Sequence, residues 1–199
     1  MTPSTSLHAE RSVRIAPLSP PWSAELGALL TRMTPPGAPN VLNLFQVLAV
    51  NPALAERMRS VGAYLLGAHA SLNLHQRELA IQRVCYRCGA EYEWGVHVTA
   101  FAQQAALDAG AVDAIASGPA SGLADADAAL VEFIDSLIDR AQVSDQVFAR
   151  ISAQLNPAAI IELIILVGWY QGISYVCNVA GVPLETWQAR FAQSPTRAG

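Results

Sequence analysis

The sequence predicts an all-α protein, and three observations carry that reading. Apolar residues recur at helical spacing, as in Leu130, Phe133, Ile134, Leu137 and Ile138, while Asp127, Glu132, Asp135 and Asp139 fall mostly elsewhere around the wheel. No segment alternates apolar and polar residues for long enough to make a strand. Two apolar segments open on a capping residue followed by proline, Asn51-Pro52 and Asn156-Pro157.

Taken in order, residues 1–16 are polar without a sustained period and read as a flexible arm. Ser19, with Pro20 and Pro21 behind it, predicts a short helix reaching about Met33. Thr34 to Pro39 (TPPGAP) breaks the chain, and Asn40 caps the apolar VLNLFQVLAV. Asn51-Pro52 starts the next helix, which Gly67 stops. A helical arm is expected from His75 to Cys88, a stop at Gly89, and a second arm from Ala90 to Leu107. Gly118 to Gly122 reads as a loop. Leu123 to Arg140 forms an amphipathic helix, Ser144 caps a short one reaching about Leu155, and Asn156-Pro157 opens the long last one. One domain over residues 17–191 with a flexible tail at 192–199 accounts for the chain.

Composition narrows the function classes. Of 199 residues, 52% are hydrophobic and only 14% charged, so a large core is within reach and subunit contacts would cover surplus apolar surface. The formal net charge is -4 and no Lys/Arg run occurs, which gives no footprint for nucleic acid. Three cysteines are too few for a disulfide scaffold in a chain of this length. Ala158 to Ala180 is long and apolar, but it carries Glu162, Gln171, Asn178, Gly168 and Gly172. These favour a buried or interface helix over a membrane span. With no apolar signal core in the first thirty residues, the expectation is a soluble, cytoplasmic protein.

The stretch from Glu78 to His97, ELAIQRVCYRCGAEYEWGVH, concentrates the ionisable residues. At about 100° per residue, Cys85 lies about 20° and Gln82 about 40° from Glu78, and Arg83 and Arg87 fall on the opposite pole. Glu78 thus sits in the middle of an apolar arc. On the second arm, Glu93 and His97 stand four residues apart and can touch, with Trp94, Phe101 and Gln104 on the same face. A carboxylate beside an imidazole raises its pKa and orients the ring, as acid/base work needs. The same residues could also be a core carboxylate held by a backbone or arginine partner and a surface Glu/His pair. Cys85 and Cys88 form a CxxC, but in the last turn of its helix, where the dipole does not favour a thiolate. His69 and His75 read as solvated.

RELAIQRVCYRCGAEYEWGVHV resembles the carboxymuconolactone decarboxylase family, which includes the alkyl hydroperoxide reductase D-type proteins. The D-type redox pattern is Glu, eleven residues, Cys, two residues, Cys, three residues, His. Here Glu78 takes the glutamate and His97 the histidine, while Ala90 and Glu93 stand at the cysteine places. The stretch looks like the GAEYEW-type branch, which lacks the redox pair in register. The likeness runs over Asn40 to Gln104 and continues more loosely through ELIILVGWYQGISYVCNVAGV. It implies a compact multi-helix orthogonal bundle, assembled as a trimer or hexamer, with pockets between helices.

The functional expectation is a cofactor-free decarboxylase, lyase or isomerase acting on a small lactone or keto acid. His97 would donate the proton, Glu93 would orient it, and Glu78 would serve as a second acid/base. Trp94, Phe101 and Cys85 would form apolar walls against the substrate. No arginine of the same subunit stands out as a carboxylate anchor; Arg77 or Arg83 could serve only if brought in from a neighbouring subunit. The alternatives are a thiol-dependent peroxidase or disulfide reductase using Cys85 and Cys88, and a non-catalytic helical oligomer. No metal or other cofactor, no nucleic acid and no membrane is expected as a partner.

Overall fold

A computed structural model describes residues 12–35, 38–117 and 122–191 of the chain. Among them are nine helices and no strand: α1 (Ala24–Met33), α2 (Asn43–Leu48), α3 (Pro52–Leu65), α4 (Leu74–Arg87), α5 (Glu91–Phe101), α6 (Ala109–Ser117), α7 (Asp125–Arg140), α8 (Asp145–Ser152) and α9 (Pro157–Ala180).

The helices start where side-chain oxygens meet free backbone N–H groups. Asn51 caps α3 and Asn156 caps α9, each with proline in the first turn, as the sequence predicts. Asn73 and Gln76 form a reciprocal capping box at the start of α4. Ser144 caps α8. Two starts differ from expectation. The first helix is capped by Ser23, not Ser19, and α2 begins after Leu42 with no side-chain cap, so Asn40 is not its cap. The second arm also ends earlier, at Phe101; the chain then turns through residues 102–107, with Ala106 at φ 55. α6 has no counterpart in the sequence reading. The expected loop at 118–122 lies almost wholly outside the described residues, as do 1–11 and 192–199.

α4 is the hub. It packs against α5, α6, α7 and α9, and every residue from Glu78 to Cys85 is buried. The opposite pole of α4 is therefore no solvent face. Arg83 is buried there, with Nε and Nη2 donating to Asp135 of α7 at 2.8 and 2.6 Å and Nη1 donating to the Ile115 carbonyl at 2.7 Å. An arginine so paired can be buried because its fork finds acceptors on every side.

Apolar burial supplies the driving force. One cluster joins α4, α7, α8 and α9 around Leu79, Ile81, Val84, Phe133, Ile134, Ile151, Leu163 and Leu166. A second joins α2, α5 and the end of α9 around Leu44, Val47, Tyr92, Val96 and Ile173. The ends of the described residues are tied to this frame. Arg14 and Ile15 donate backbone N–H bonds to the Ala180 carbonyl at 2.8 and 3.1 Å, so the described end of the N-terminal arm is docked. Gly181 stops α9 in the left-handed region at φ 65. Gln188 donates to the Glu91 and Tyr92 carbonyls on the back of α5.

Candidate active site

Gly89, at φ 61, reverses the chain between α4 and α5 and lets the two helices run antiparallel. That reversal sets Glu78 of α4 against His97 of α5. His97 Nδ1 lies 2.8 Å from Glu78 Oε2, in a buried contact. On the other side of the ring, Nε2 is 3.5 Å from Glu93 Oε1 and 3.2 Å from the Tyr170 hydroxyl of α9. Glu78 is 0% exposed, His97 4%, Glu93 7% and Tyr170 3%, so the group is shielded from bulk water.

The structure thus brings the three sequence-predicted residues together, with one exchange of position. Glu78, not Glu93, makes the close bond that fixes the imidazole, and it does so through Nδ1. Glu93 sits at the far nitrogen. Tyr170 was not singled out in the sequence because it lies 73 residues from His97. Its one signal was periodic: Tyr170, Ser174 and Cys177 share a polar line on an otherwise apolar helix.

The electrostatics follow from the geometry. Burial opposes charge on the ring, but the charge and hydrogen bond of Glu78, and then those of Glu93, outweigh it and push His97 from 6.5 up to about 10. Two carboxyl groups flanking one imidazole hold it as imidazolium in neutral water. Burial, then the charges of Glu93 and Glu78, hold the Tyr170 hydroxyl well above its usual range, so it keeps its proton. The arrangement is a cation with one N–H bound to Glu78 and the other directed between Tyr170 and Glu93. Such a group can give a proton, stabilise an oxyanion, or do both.

The expected walls divide. Phe101 packs on the imidazole, with ring centroids 5.3 Å apart, and Tyr170 meets it edge-on at 5.2 Å. Trp94 instead packs against Phe191, with centroids 5.0 Å apart. Cys85 is fully buried beside Ser174, and burial, then the nearby Glu93 charge, pushes its thiol up; Cys177 is raised by the same two causes, and Cys88 by burial.

The arginines also sort themselves. Arg83 is committed to Asp135. Arg77 is next to the site within the same chain: its Nε is buried, lies 3.6 Å from Glu78 Oε1, and has no hydrogen-bond partner. The subunit therefore carries its own cation at the site. His75 is not solvated as the sequence suggested. Its ring joins the Ala105 carbonyl and Asp127 of α7, each at 2.9 Å, and fastens the chain beyond α5 to the hub.

Among the described residues, no group of three or more His, Cys, Asp or Glu side chains has the geometry of a metal centre. The chain matches no family model and no curated protein.

Proposed function

We propose that this protein is a cofactor-free acid/base enzyme of the carboxymuconolactone decarboxylase kind, a decarboxylase or isomerase of a small lactone or keto acid. The observation that carries this reading is the buried His97 ring, fixed by Glu78 on one nitrogen and turned toward Glu93 and Tyr170 with the other. A purely structural polar core would be fully hydrogen bonded. Here Glu78 Oε1 and Arg77 Nε face each other at 3.6 Å, beyond hydrogen-bond distance, and neither has another hydrogen-bond partner.

In the decarboxylation, the bond between the substrate carbon and its carboxylate breaks and carbon dioxide leaves. The electron pair moves into the adjoining carbonyl to give an enolate. The Tyr170 O–H and the His97 cation face that oxygen and offset its charge. His97 Nε2–H then gives its proton to carbon. The ring, neutral for that moment, regains a proton from water, with Glu93 beside Nε2 as the acceptor on the way. In an isomerisation, Glu93 takes the first proton and His97 returns it at a second carbon. Arg77, beside Glu78, supplies positive charge toward a substrate carboxylate.

The thiol-based alternative has less support. Of the two thiols it needs, Cys85 is fully buried and raised by burial and then by the Glu93 charge, and Cys88 is raised by burial, which is the wrong surrounding for a reactive thiolate.

The same reading holds the protein to be a soluble trimer or hexamer. Ile161, Ile165, Tyr175 and Val179 are each more than half exposed on one side of α9. A Cβ added at Gly168 or Gly172 would meet nothing within 4 Å. That face suits close packing against a second copy. α9 is long and apolar enough to cross a membrane, but half of its most apolar window is buried within the subunit.

The test is turnover of a panel of small keto acids and unsaturated lactones, followed as carbon dioxide release or as movement of the double bond. His97→Gln is expected to abolish turnover while leaving the helical circular dichroism unchanged. Full activity in that variant rules out the assignment.

A further inference from the structure

The exposed side of α9 carries a pattern that packing within one subunit does not explain. Ile161, Ile165, Tyr175 and Val179 are 63%, 53%, 55% and 61% exposed, and Gly168 and Gly172 between them are exposed as well. These six residues follow one another at steps of four, three, four, three and four. That is the 3.5-residue period of a coiled-coil seam. From Ile161 to Val179, no exposed residue of α9 is charged or an amide. Tyr170 lies on the opposite side of the helix, so the seam is separate from the His97 site. The seam also reads alike from both ends. Counted outward from position 170, the glycines stand two residues away on either side, Ile165 and Tyr175 five, and Ile161 and Val179 nine.

We propose that α9 pairs antiparallel with α9 of a second copy, crossing at Gly168 and Gly172, so that the protein assembles in even numbers. A two-fold contact must be self-complementary: what one copy offers at one position, the other must meet at its counterpart. Antiparallel helices centred on residue 170 do this, setting Ile161 against Val179, Ile165 against Tyr175 and Gly168 against Gly172 of the second copy. The glycines supply an independent reason. Each costs about 1 kcal/mol against alanine in a helix interior. Within the subunit nothing requires them, since a Cβ at either would meet nothing within 4 Å. Between two copies they let the helix axes approach to about 8 Å. The area is sufficient. A third of the circumference of a 24-residue helix presents on the order of 400 Å². α3 runs alongside, its half-exposed Tyr64 donating to Glu162 at 3.4 Å, and Tyr64 with Val61 adds roughly 150 Å². Two copies together bury about 1,100 Å², above the roughly 1,000 Å² that a specific interface needs. A lipid surface would take the apolar bulk but gives no reason for a seam that is the same from both ends. The inference rests on the reading that this face meets a second copy, and it narrows that reading. A hexamer contains two-fold contacts; a lone trimer does not.

The experiment uses the full chain. Ile161→Cys and Val179→Cys, each combined with Cys88→Ser and carrying tags of different size, are treated with a short bis-maleimide, singly and after co-expression. Co-expression is expected to give a covalent dimer that joins both tags. Neither variant alone should cross-link, because like positions then stand about 27 Å apart along the helix pair. Light scattering of the wild type should give an even number of subunits. Ile165→Glu places a charge in the seam and should halve that mass, hexamer to trimer or dimer to monomer, with unchanged helical circular dichroism. Tyr175→Glu serves if that variant does not fold. A monomeric or trimeric wild type overturns the assignment. So does cross-linking of either variant alone, no joined dimer on co-expression, or an unchanged mass in both charge variants. Flotation of the wild type with phosphatidylcholine vesicles also overturns it, by giving the face to lipid. These outcomes are independent of His97-dependent turnover. A trimer loses the two-fold pairing and keeps the acid/base chemistry and the oligomer. An even assembly without turnover keeps the pairing and loses the chemistry.

Discussion

Glu78→Gln is the perturbation that reaches furthest into the site, because it removes a charge and keeps the shape. In the wild type the His97 ring is charged up to about pH 10, against 6.5 in the unfolded chain. That difference corresponds to roughly 5 kcal/mol in favour of the charged ring inside the folded protein. The sign follows from which state holds the proton. The folded pKa lies above the unfolded one, so the stabilisation is complete below about pH 6.5 and is lost as pH rises toward about 10. From His97 alone, stability should fall by roughly 2 kcal/mol between pH 6 and pH 8, because the unfolded ring gives up its proton while the folded ring keeps it. Below pH 8 the three thiols are protonated in both states and do not add to the slope. The glutamine can still accept from Nδ1, but it brings no charge, and burial then favours the neutral ring. Urea unfolding at intervals across this range, for both proteins, measures the effect. The wild type should lose stability toward pH 8 more steeply than the variant, which keeps only the slope that His75, raised against its burial by the Ala105 carbonyl and Asp127, adds to both proteins. Equal slopes in the two proteins would refute the coupling of Glu78 to the ring.

Further expectations concern the frame and the thiols. Glu162→Ala should cost about 1–3 kcal/mol in denaturant unfolding, because Glu162 accepts the Ser71 and Leu72 backbone N–H bonds at 2.7 and 3.1 Å in the loop that precedes α4. A stability equal to wild type would mean that water replaces the carboxylate there. Gly95→Ala should cost about 1–3 kcal/mol, although alanine is the better helix former by about 1 kcal/mol. A methyl at that position would collide with the Ala189 carbonyl and the Gln188 amide, which lie on the back of α5. A variant more stable than wild type would contradict that packing. In the native protein at neutral pH, a thiol reagent should leave Cys85 and Cys177 unmodified and react with all three cysteines only after unfolding. Fast native labelling of Cys85 would revive the thiol chemistry.

Most of the helical frame was legible because it is written in local signals. The Asn-Pro starts of α3 and α9, the Ser144 cap and the glycine stop at Gly89 each act within a few residues, and each appears in the structure. Signals that compete locally were misread. Ser19, Pro20 and Pro21 look like a helix start, but Ser23 takes the cap because its hydroxyl meets the Leu26 N–H. α6 went unseen because AGAVDAIAS has little charge to mark a polar face. The convergence of Glu78, Glu93 and His97 was legible from spacing across the glycine. Which carboxylate binds which nitrogen was not, because i, i+4 proximity favoured Glu93 and only the antiparallel docking of two helices favours Glu78. The Tyr170–His97, Arg83–Asp135 and His75–Asp127 contacts all join residues more than 50 positions apart, where a single sequence carries no pairing information.

The charge state of His97 is the quantity on which the proposed chemistry turns, and nitrogen NMR of protein labelled at the histidine rings reads it directly. At about pH 8, where an ordinary histidine is neutral, both ring nitrogens of His97 should show the shifts of a doubly protonated imidazolium, and Glu78→Gln should convert them to the neutral pattern. A wild-type ring already neutral at that pH would mean that no charged acid stands between Glu78 and Glu93.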